Sequence, residues 1–180
     1  MKSRSLRSEL SSFGRLHGFL RNWSAVLFIF SLAAAAAQAV DLNGTYSDKG
    51  TAIATDDSKL SGEVSLHALL TLNLDSPADV YAASEEVKLT QEETTLAAEI
   101  FNNEEKVVSK AKWTKDREYR LEEKKLTLTL RGSGENQAAV LVFEPSSDGK
   151  FLEVTVARLS ATTFGPVAQK IGSVVFPKLK

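Results

Sequence analysis

Beyond residue 39, the chain is a succession of short segments in which apolar and polar residues alternate, separated by Asn, Asp, Gly and Pro. In Leu126-Thr-Leu-Thr-Leu130 the alternation is strict, which places three leucines on one face of a strand and two threonines on the other. This period of two, with no long stretch of helical period, indicates a chain built mainly from β-strands. The clearest predicted strands cover residues 96–101, 107–113, 126–130, 138–143 and 152–159, with an opening segment at 43–47 and a closing strand at 173–176.

Short turns join these predicted strands. Asn102-Asn-Glu-Glu105, Gly132-Ser-Gly-Glu-Asn136 and Pro145-Ser-Ser-Asp-Gly149 are rich in residues that tolerate the positive φ of tight turns. Such close spacing favours antiparallel neighbours over crossover helices. We therefore expect an all-β fold in which a single antiparallel meander forms a small barrel or a strongly curved sheet. A β-sandwich of two sheets is the alternative.

Two segments depart from the simple strand pattern. In residues 64–74 apolar residues alternate, but Leu66, Leu69 and Leu70 also fall at helical spacing behind Ser65, a residue type that caps helices. We expect one short helix over residues 66–70, with a continuous strand as the alternative. Between residues 162 and 172, the pair Gly165-Pro166 predicts a loop or an irregular turn before the closing strand.

The first 39 residues differ in composition from the rest. Five basic residues against the single acid Glu9 precede the apolar run 23–37, and the small-x-small sequence Ala37-Gln-Ala39 lies at the end of this region. This order predicts a cleavable signal peptide over residues 1–39 and a single β-rich domain over residues 40–180. We expect the domain to be exported to the periplasm or the cell exterior. An uncleaved membrane anchor is the alternative, but the apolar run is shorter than the roughly 20 residues that a spanning helix needs.

Removal of the signal changes the charge balance of the chain. Basic residues fall from 22 to 17 and acidic residues from 23 to 22, so the net charge moves from −1 to −5. A mildly acidic domain lacks the basic surface that a phosphate backbone requires, so we expect no nucleic-acid partner. The chain also contains no cysteine. It therefore has neither disulfides nor a lipid-modified cysteine, and we expect no covalent lipid anchor.

The sequence contains few of the residues and motifs that are typical of catalytic sites. His67 is the single histidine after residue 39, so a zinc site built on several His or Cys ligands cannot be assembled. No Gly-x-Ser-x-Gly elbow accompanies it to present a serine nucleophile. We interpret His67 as a packing or surface residue, and the acidic doublets such as Glu104-Glu105 as solvated loop charge. We expect no enzymatic activity, no cofactor and no metal site.

Three short motifs support a family resemblance: Leu42-Asn-Gly-Thr-Tyr46, Ser65-Leu-His-Ala-Leu-Leu70 and Ser147-Asp-Gly-Lys-Phe-Leu-Glu-Val154. Together they resemble uncharacterised small exported β-rich proteins and lipoproteins of Gram-negative bacteria. The glycine-x-aromatic pattern near the start is similar to that of lipocalin-like barrels, although Tyr46 stands where a tryptophan is typical. The resemblance transfers no functional residue to this chain.

Aromatic residues are spread over nearly every predicted strand, as in the lining of a barrel. Such an interior either holds an apolar ligand or fills itself. We expect a non-enzymatic cell-envelope protein that binds a hydrophobic small molecule in its barrel. A structural or protein-interaction module that contacts another envelope protein is the alternative. The predicted ligand-binding lining consists of Tyr46, Trp113, Leu128, Val142 and Val154.

Overall fold

The computed structural model describes residues 40–53, 59–77, 83–133, 137–163 and 165–180. Within these ranges the chain forms eleven strands and one short helix. In chain order they are β1 (Gly44–Ser47), β2 (Lys49–Ala52), β3 (Glu63–Ser65), α1 (Leu66–Leu70), β4 (Ser84–Gln91), β5 (Thr95–Asn102), β6 (Val107–Thr114), β7 (Tyr119–Leu121), β8 (Leu126–Arg131), β9 (Ala138–Pro145), β10 (Phe151–Thr162) and β11 (Gly165–Pro177).

The strands form two antiparallel sheets. The first sheet has the order β1-β4-β5-β6, and the second has the order β3-β2-β11-β10-β9-β8-β7. Consecutive strands pair from β4 to β6 and from β7 to β11, so each sheet is largely a meander. The prediction of an all-β fold with one short helix is confirmed. The strands that the structure describes form no closed barrel.

Backbone hydrogen bonds join the two sheets along one edge, which we call the seam. Tyr46 in β1 forms an isolated antiparallel bridge with Lys178, just beyond β11. The N–H of Thr45 donates to the carbonyl of Lys180 at 2.9 Å, and the N–H of Leu179 donates to the carbonyl of Thr45 at 2.7 Å. The first sheet therefore continues, through β1, into the segment that follows β11.

The opposite edges of the two sheets meet much less closely. β6 and β7 are connected by a short turn, where Lys115 and Tyr119 form an isolated parallel bridge. The N–H of Thr129 in β8 donates to the carbonyl of Glu118 at 2.8 Å. β6 is the last strand of the first sheet, and its outer edge pairs with no strand among the described residues.

One hydrophobic core contains buried residues from both sheets and from α1. Leu126, Leu128 and Leu130 of β8 are buried, whereas the intervening threonines are half-buried, as strict alternation predicts. Trp113 of β6 is only 7% exposed, which confirms that it points inward. Each fully buried leucine or aromatic side chain contributes roughly 1.5–3 kcal/mol through removal of apolar surface from water.

The helix α1 lies where the sequence predicts it, at Leu66–Leu70. Ser65 caps it in an extended conformation, with φ −82° and ψ 129°, and its Oγ accepts a hydrogen bond from the N–H of Ala68 at 3.0 Å. All five helical residues are buried. A helix this short is not stable in isolation, so its burial in the core stabilises it.

The prediction of a loop between residues 162 and 172 is wrong. β10 and β11 form a long hairpin whose pairing runs from Phe151 with Pro177 to Thr162 with Gly165. Gly165, with φ 115°, therefore lies at the tip of the hairpin, where the backbone turns. Pro166 follows at the start of β11, a position at which a strand tolerates the missing N–H.

A β-bulge separates an exposed part of β11 from a buried part. Val156 pairs with Gly172 and Ala157 with Lys170, which leaves Ile171 as the extra residue. On the tip side of the bulge, residues 166–170 are exposed, whereas residues 171–174 are buried. The carbonyl of Ile171 accepts a hydrogen bond from the N–H of Lys59 at 2.7 Å. The bulge thus marks the point where β11 enters the core.

The predicted signal over residues 1–39 lies outside the described residues, as do residues 134–136 of the predicted β8–β9 turn. The strands on either side of that turn are antiparallel neighbours, and the N–H of Gly132 donates to the carbonyl of Gln137 at 2.6 Å. In the part of the chain that the structure describes, no helix has the length and apolar character required to cross a membrane.

Candidate ligand-binding cleft

A cleft of about 990 Å³ opens between β6 and the short hairpin of β7 and β8. One wall comes from the end of α1 and from β6, and it consists of Leu70, Thr71, Leu72, Ala111 and Trp113. Ser109, Ala111 and Trp113 share one face of β6, opposite the exposed Lys110 and Lys112. This alternation positions the indole of Trp113 toward the interior.

The other wall of the cleft comes from the β6–β7 turn, from β7 and from β8. Its residues are Arg117, Glu118, Tyr119, Arg120, Thr127, Thr129, Leu130, Arg131 and Gly132. Thr127, Thr129 and Arg131 alternate along one face of β8, while Leu130 belongs to the other. The cleft therefore reaches both the apolar and the polar face of this strand.

The charged groups of the cleft are three arginines and one glutamate. Arg117, Arg120 and Arg131 are exposed, and none of them forms an ion pair with a residue that the structure describes. Oε2 of Glu118 accepts a hydrogen bond from the backbone N–H of Thr114 at 2.8 Å. The cleft thus presents free guanidinium groups beside aromatic and aliphatic surface.

Tyr119 lies in this wall and is 1% exposed. Its hydroxyl is buried, and no described residue forms a hydrogen bond with it. Burial raises the pKa of the Tyr119 phenol, and the negative charge of Asp116 raises it further. The phenol therefore stays neutral over the physiological pH range and presents an O–H donor without an acceptor.

The structure brings one of the five predicted ligand-binding residues, Trp113, to the cleft. Tyr46, Leu128 and Val154 are fully buried in the hydrophobic core. Val142 is half-buried and lies on the face of β9 opposite Leu141 and Phe143, two residues of the core. A role of these four residues in ligand binding stays a prediction.

Four residues of the cleft carry chemistry that the sequence patterns do not indicate: Arg117, Tyr119, Arg120 and Arg131. They belong to a turn, a three-residue strand and the end of a second strand, so no motif spacing connects them. The β7–β8 pairing brings them into one wall, because it sets Tyr119 opposite Leu128 and Arg120 opposite Thr127. The one signal in the sequence is the near-absence of other arginines after residue 39.

A second polar cluster lies away from the cleft, around the buried carboxyl group of Asp48. Oδ2 of Asp48 accepts hydrogen bonds from the hydroxyls of Ser65 at 2.8 Å and Ser84 at 3.0 Å. Oδ1 accepts one from the backbone N–H of His67 at 2.7 Å. The cluster connects the bend between β1 and β2 to the start of α1 and the start of β4.

These residue types are those of a Ser-His-Asp triad, but their geometry differs. In a triad the serine hydroxyl bonds to the histidine ring, and the ring bonds to the aspartate. Here both serine hydroxyls donate directly to Asp48, and the backbone of His67 makes the contact with the carboxylate. His67 is buried, which lowers its pKa, while the charge of Asp48 opposes that shift. The geometry indicates a structural role for the Asp48 cluster.

The described lining of the cleft combines guanidinium groups and threonine hydroxyls with aliphatic side chains and the largely buried ring of Trp113. Among the described residues, no group of three or more His, Cys, Asp or Glu side chains is placed to hold a metal ion. Comparisons with protein-family models, with curated proteins and with solved structures found no match to this chain.

Proposed function

We propose that this protein is a non-enzymatic, exported protein of the cell envelope that binds a small apolar molecule in the cleft between β6 and β8. The observation that carries the proposal is the cleft itself, whose volume is about 990 Å³ and whose walls include Trp113, Ala111 and Leu130. Sites for small molecules and cofactors typically enclose about 300–1,000 Å³ and bury most of the ligand. Each Å² of apolar ligand surface buried there contributes roughly 25 cal/mol.

The proposal includes a lipocalin-like arrangement in which both sheets act as one strongly curved sheet that stops short of closing. Two contacts support it: the seam between Thr45 and residues 178–180, and the bridge between Lys115 and Tyr119. In this arrangement the cleft is the opening in the wall, between the edges of β6 and β8. A bound ligand then covers apolar surface that a complete barrel would cover with its own strands.

The proposed location outside the cytoplasm rests on the sequence of residues 1–39, where a basic region, an apolar run and Ala37-Gln-Ala39 follow one another. Cleavage after Ala39 leaves a chain that starts at Val40. N-terminal sequencing of the exported protein tests this step. A mature protein that began before Val40 would contradict the assigned cleavage site.

The binding proposal can be tested through the fluorescence of Trp113. The chain has two tryptophans, Trp23 and Trp113, so a full-length Trp23→Phe variant reports on Trp113 alone. We expect saturable energy transfer from Trp113 to the neutral apolar probe N-phenyl-1-naphthylamine. Ala111→Phe places a ring in the cleft, and we expect it to weaken binding of the probe by about tenfold or more, or about 1.4 kcal/mol.

Ala97→Phe is the matched control for this experiment. Ala97 belongs to β5, does not line the cleft and pairs with Lys112 on the face that points away from Trp113. The control adds the same volume at a half-buried alanine of the neighbouring strand. Equal loss of binding in both variants, or no saturable binding by the parent protein, would contradict the proposal.

A second candidate function is an interaction module for another envelope protein. It is favoured by the outer edge of β6, which has no pairing strand among the described residues, and by the exposure of Val107 (41%) and Val108 (50%) next to it. Such an edge accepts a strand of a partner protein. A photocrosslinker at Val108 in intact cells tests this candidate, and the same group at the exposed Lys124 is the control. A product that forms equally from both positions, or from neither, would exclude the candidate.

A further inference from the structure

We infer that the ligand of the cleft is an amphiphile with an oxyanionic head group, a carboxylate or a phosphate, and that Arg117, Arg120 and Arg131 bind this head group. The inference rests on the proposed function, since it concerns the same cleft. It narrows the ligand from any apolar molecule to one that carries a negative charge at one end.

The distribution of basic residues is the first observation behind the inference. After residue 39 the chain contains four arginines and 13 lysines. Three of the four arginines line the cleft, and none of the lysines does. Arginine binds carboxylates and phosphates through a planar fork of donors and is less strongly hydrated than lysine. This segregation, in a domain whose net charge after signal removal is −5, matches a site for an oxyanion.

The second observation is that no described residue forms an ion pair with these three arginines. The fourth arginine, Arg158, forms an ion pair with Asp75, and four of the lysines pair with nearby acids. By contrast, the structure shows no described ion-pair partner for Arg117, Arg120 or Arg131. Glu118, the acid in the same wall, accepts a hydrogen bond from the backbone N–H of Thr114. Among the described residues, three guanidinium groups therefore share the cleft with the single carboxylate of Glu118, and a bound anion would offset their remaining mutual repulsion.

The register of β7 and β8 indicates where the head group lies. Arg120 pairs with Thr127, and Thr127, Thr129 and Arg131 follow one another on the same face of β8. Thr129 therefore lies between the positions of Arg120 and Arg131, and its hydroxyl adds a donor to the site. The apolar body of the ligand extends from there toward Trp113 and Leu72 in the opposite wall.

The test compares four probes by titration of the full-length Trp23→Phe chain: decanoate, decyl phosphate, decan-1-ol and inorganic phosphate. We expect at least one of the two anionic amphiphiles to bind about tenfold or more tightly than decan-1-ol. The triple variant Arg117→Gln/Arg120→Gln/Arg131→Gln should lower the affinity for that anionic amphiphile to the affinity for decan-1-ol and leave decan-1-ol binding unchanged. Arg158→Gln, outside the cleft, is the matched control and should change neither. Circular dichroism and thermal melts confirm that the variants are folded.

The four probes distinguish failure of the anionic head group from failure of ligand binding in the cleft. Equal binding of decanoate, decyl phosphate and decan-1-ol, unaffected by the arginine changes, would overturn the anionic head group and leave the proposed function standing. If none of the three alkyl probes binds, the proposed function fails and the inference fails with it. Binding of inorganic phosphate as tight as that of decyl phosphate would assign the arginines to a free anion and overturn the inference of an amphiphile.

Discussion

The hydroxyl of Ser65 donates a hydrogen bond to Oδ2 of Asp48 at 2.8 Å, across 17 positions of the chain. The same Oγ accepts the N–H of Ala68, so it caps α1 while it binds the carboxylate. Asp48 is 1% exposed and accepts two further hydrogen bonds, from Ser84 and from the backbone of His67. A buried carboxyl group is tolerated when hydrogen bonds satisfy it, and here these bonds fix the relative positions of three elements.

Replacement of Asp48 should destabilise the protein strongly. Asp48→Ala removes the carboxyl group that accepts three buried hydrogen bonds, and we expect the free energy of unfolding to fall by about 3 kcal/mol or more, as measured by urea denaturation. Ser84→Ala removes one donor, and its expected cost is about 1 kcal/mol. Asp75→Ala removes an exposed ion pair with Arg158 and should cost less than about 1 kcal/mol. Equal costs for Asp48→Ala and Asp75→Ala would show that the buried cluster has no structural role.

The buried imidazole of His67 should make stability depend on pH. Burial lowers the pKa of His67 in the folded protein, and the charge of Asp48 opposes this only in part. The unfolded chain, with a histidine pKa of about 6.5, therefore binds the proton first as the pH falls. The contribution of the neutral His67 imidazole to the free energy of unfolding is fully present above about pH 6.5. It is lost as the pH falls from there toward the lowered pKa.

His67→Gln removes this titration, while the backbone contact of residue 67 to Asp48 remains available. The free energy of unfolding of both proteins is measured from pH 8 to pH 5 in steps of half a pH unit. As the pH falls, it should decrease less in the variant than in the parent. Carboxylates elsewhere titrate in both proteins and cancel in the difference. A difference that stays constant over this pH range would contradict the account of His67.

Loss of the hydroxyl should change the free energy of unfolding in opposite directions at two buried tyrosines. Tyr46 and Tyr119 are each 1% exposed, but the hydroxyl of Tyr46 donates to the carbonyl of Leu42 at 3.0 Å, whereas that of Tyr119 has no described partner. We expect Tyr46→Phe to lower the free energy of unfolding by about 1 kcal/mol and Tyr119→Phe to raise it by a similar amount in the ligand-free protein. Thermal unfolding of both variants checks this, and shifts of the same sign would be inconsistent with an unpaired Tyr119.

The phenol of Tyr46 should also ionise only at unusually high pH. Burial raises the pKa of Tyr46 to about 12, and the negative charge of Asp41 adds to the shift. Its ionisation, followed by the ultraviolet absorbance of phenolate, should therefore be absent at pH 10.5 and missing in Tyr46→Phe at higher pH. Complete titration of all tyrosines near pH 10, with the protein still folded by circular dichroism, would contradict the burial of Tyr46.

The seam between the sheets should protect specific amides from hydrogen exchange. The N–H groups of Thr45 and Leu179 are bonded across the seam, so we expect slow exchange at both positions. Deletion of residues 178–180 should speed exchange at Thr45 by about tenfold or more and leave the amides of the central strand β9 unchanged. Fast exchange at Thr45 in the intact chain would argue against the proposed continuous, curved sheet.

The parts of the fold that the sequence predicts are those in which one pattern dominates. Ser65 followed by leucines at helical spacing predicts α1, and the alternation in residues 126–130 predicts β8. The strand β11 is missed because Gly165-Pro166 suggests a loop, whereas in the structure this pair begins the second strand of a long hairpin. The bulge at Ile171 also breaks the alternation, so the register of β11 depends on its pairing with β10.

The sequence predicts less of the candidate site than of the fold. The inward direction of Trp113 follows from alternation in β6, but β9 is apolar on both faces, so its pattern does not distinguish Val142 from its core-facing neighbours. The arginines of the cleft come together through the pairing of β7 with β8. That pairing depends on a strand of three residues, which is too short to carry a pattern of its own.

Intermolecular nuclear Overhauser effects can show whether a small molecule occupies the cleft between β6 and β8. With decanoate bound to the full-length Trp23→Phe chain, we predict effects between its methylene protons and both the indole of Trp113 and the methyl group of Ala111, which line the cleft. The effects should disappear in Ala111→Phe and persist in Ala97→Phe. Saturable decanoate binding whose effects reach only residues outside the cleft, such as the exposed Val167, would contradict the account.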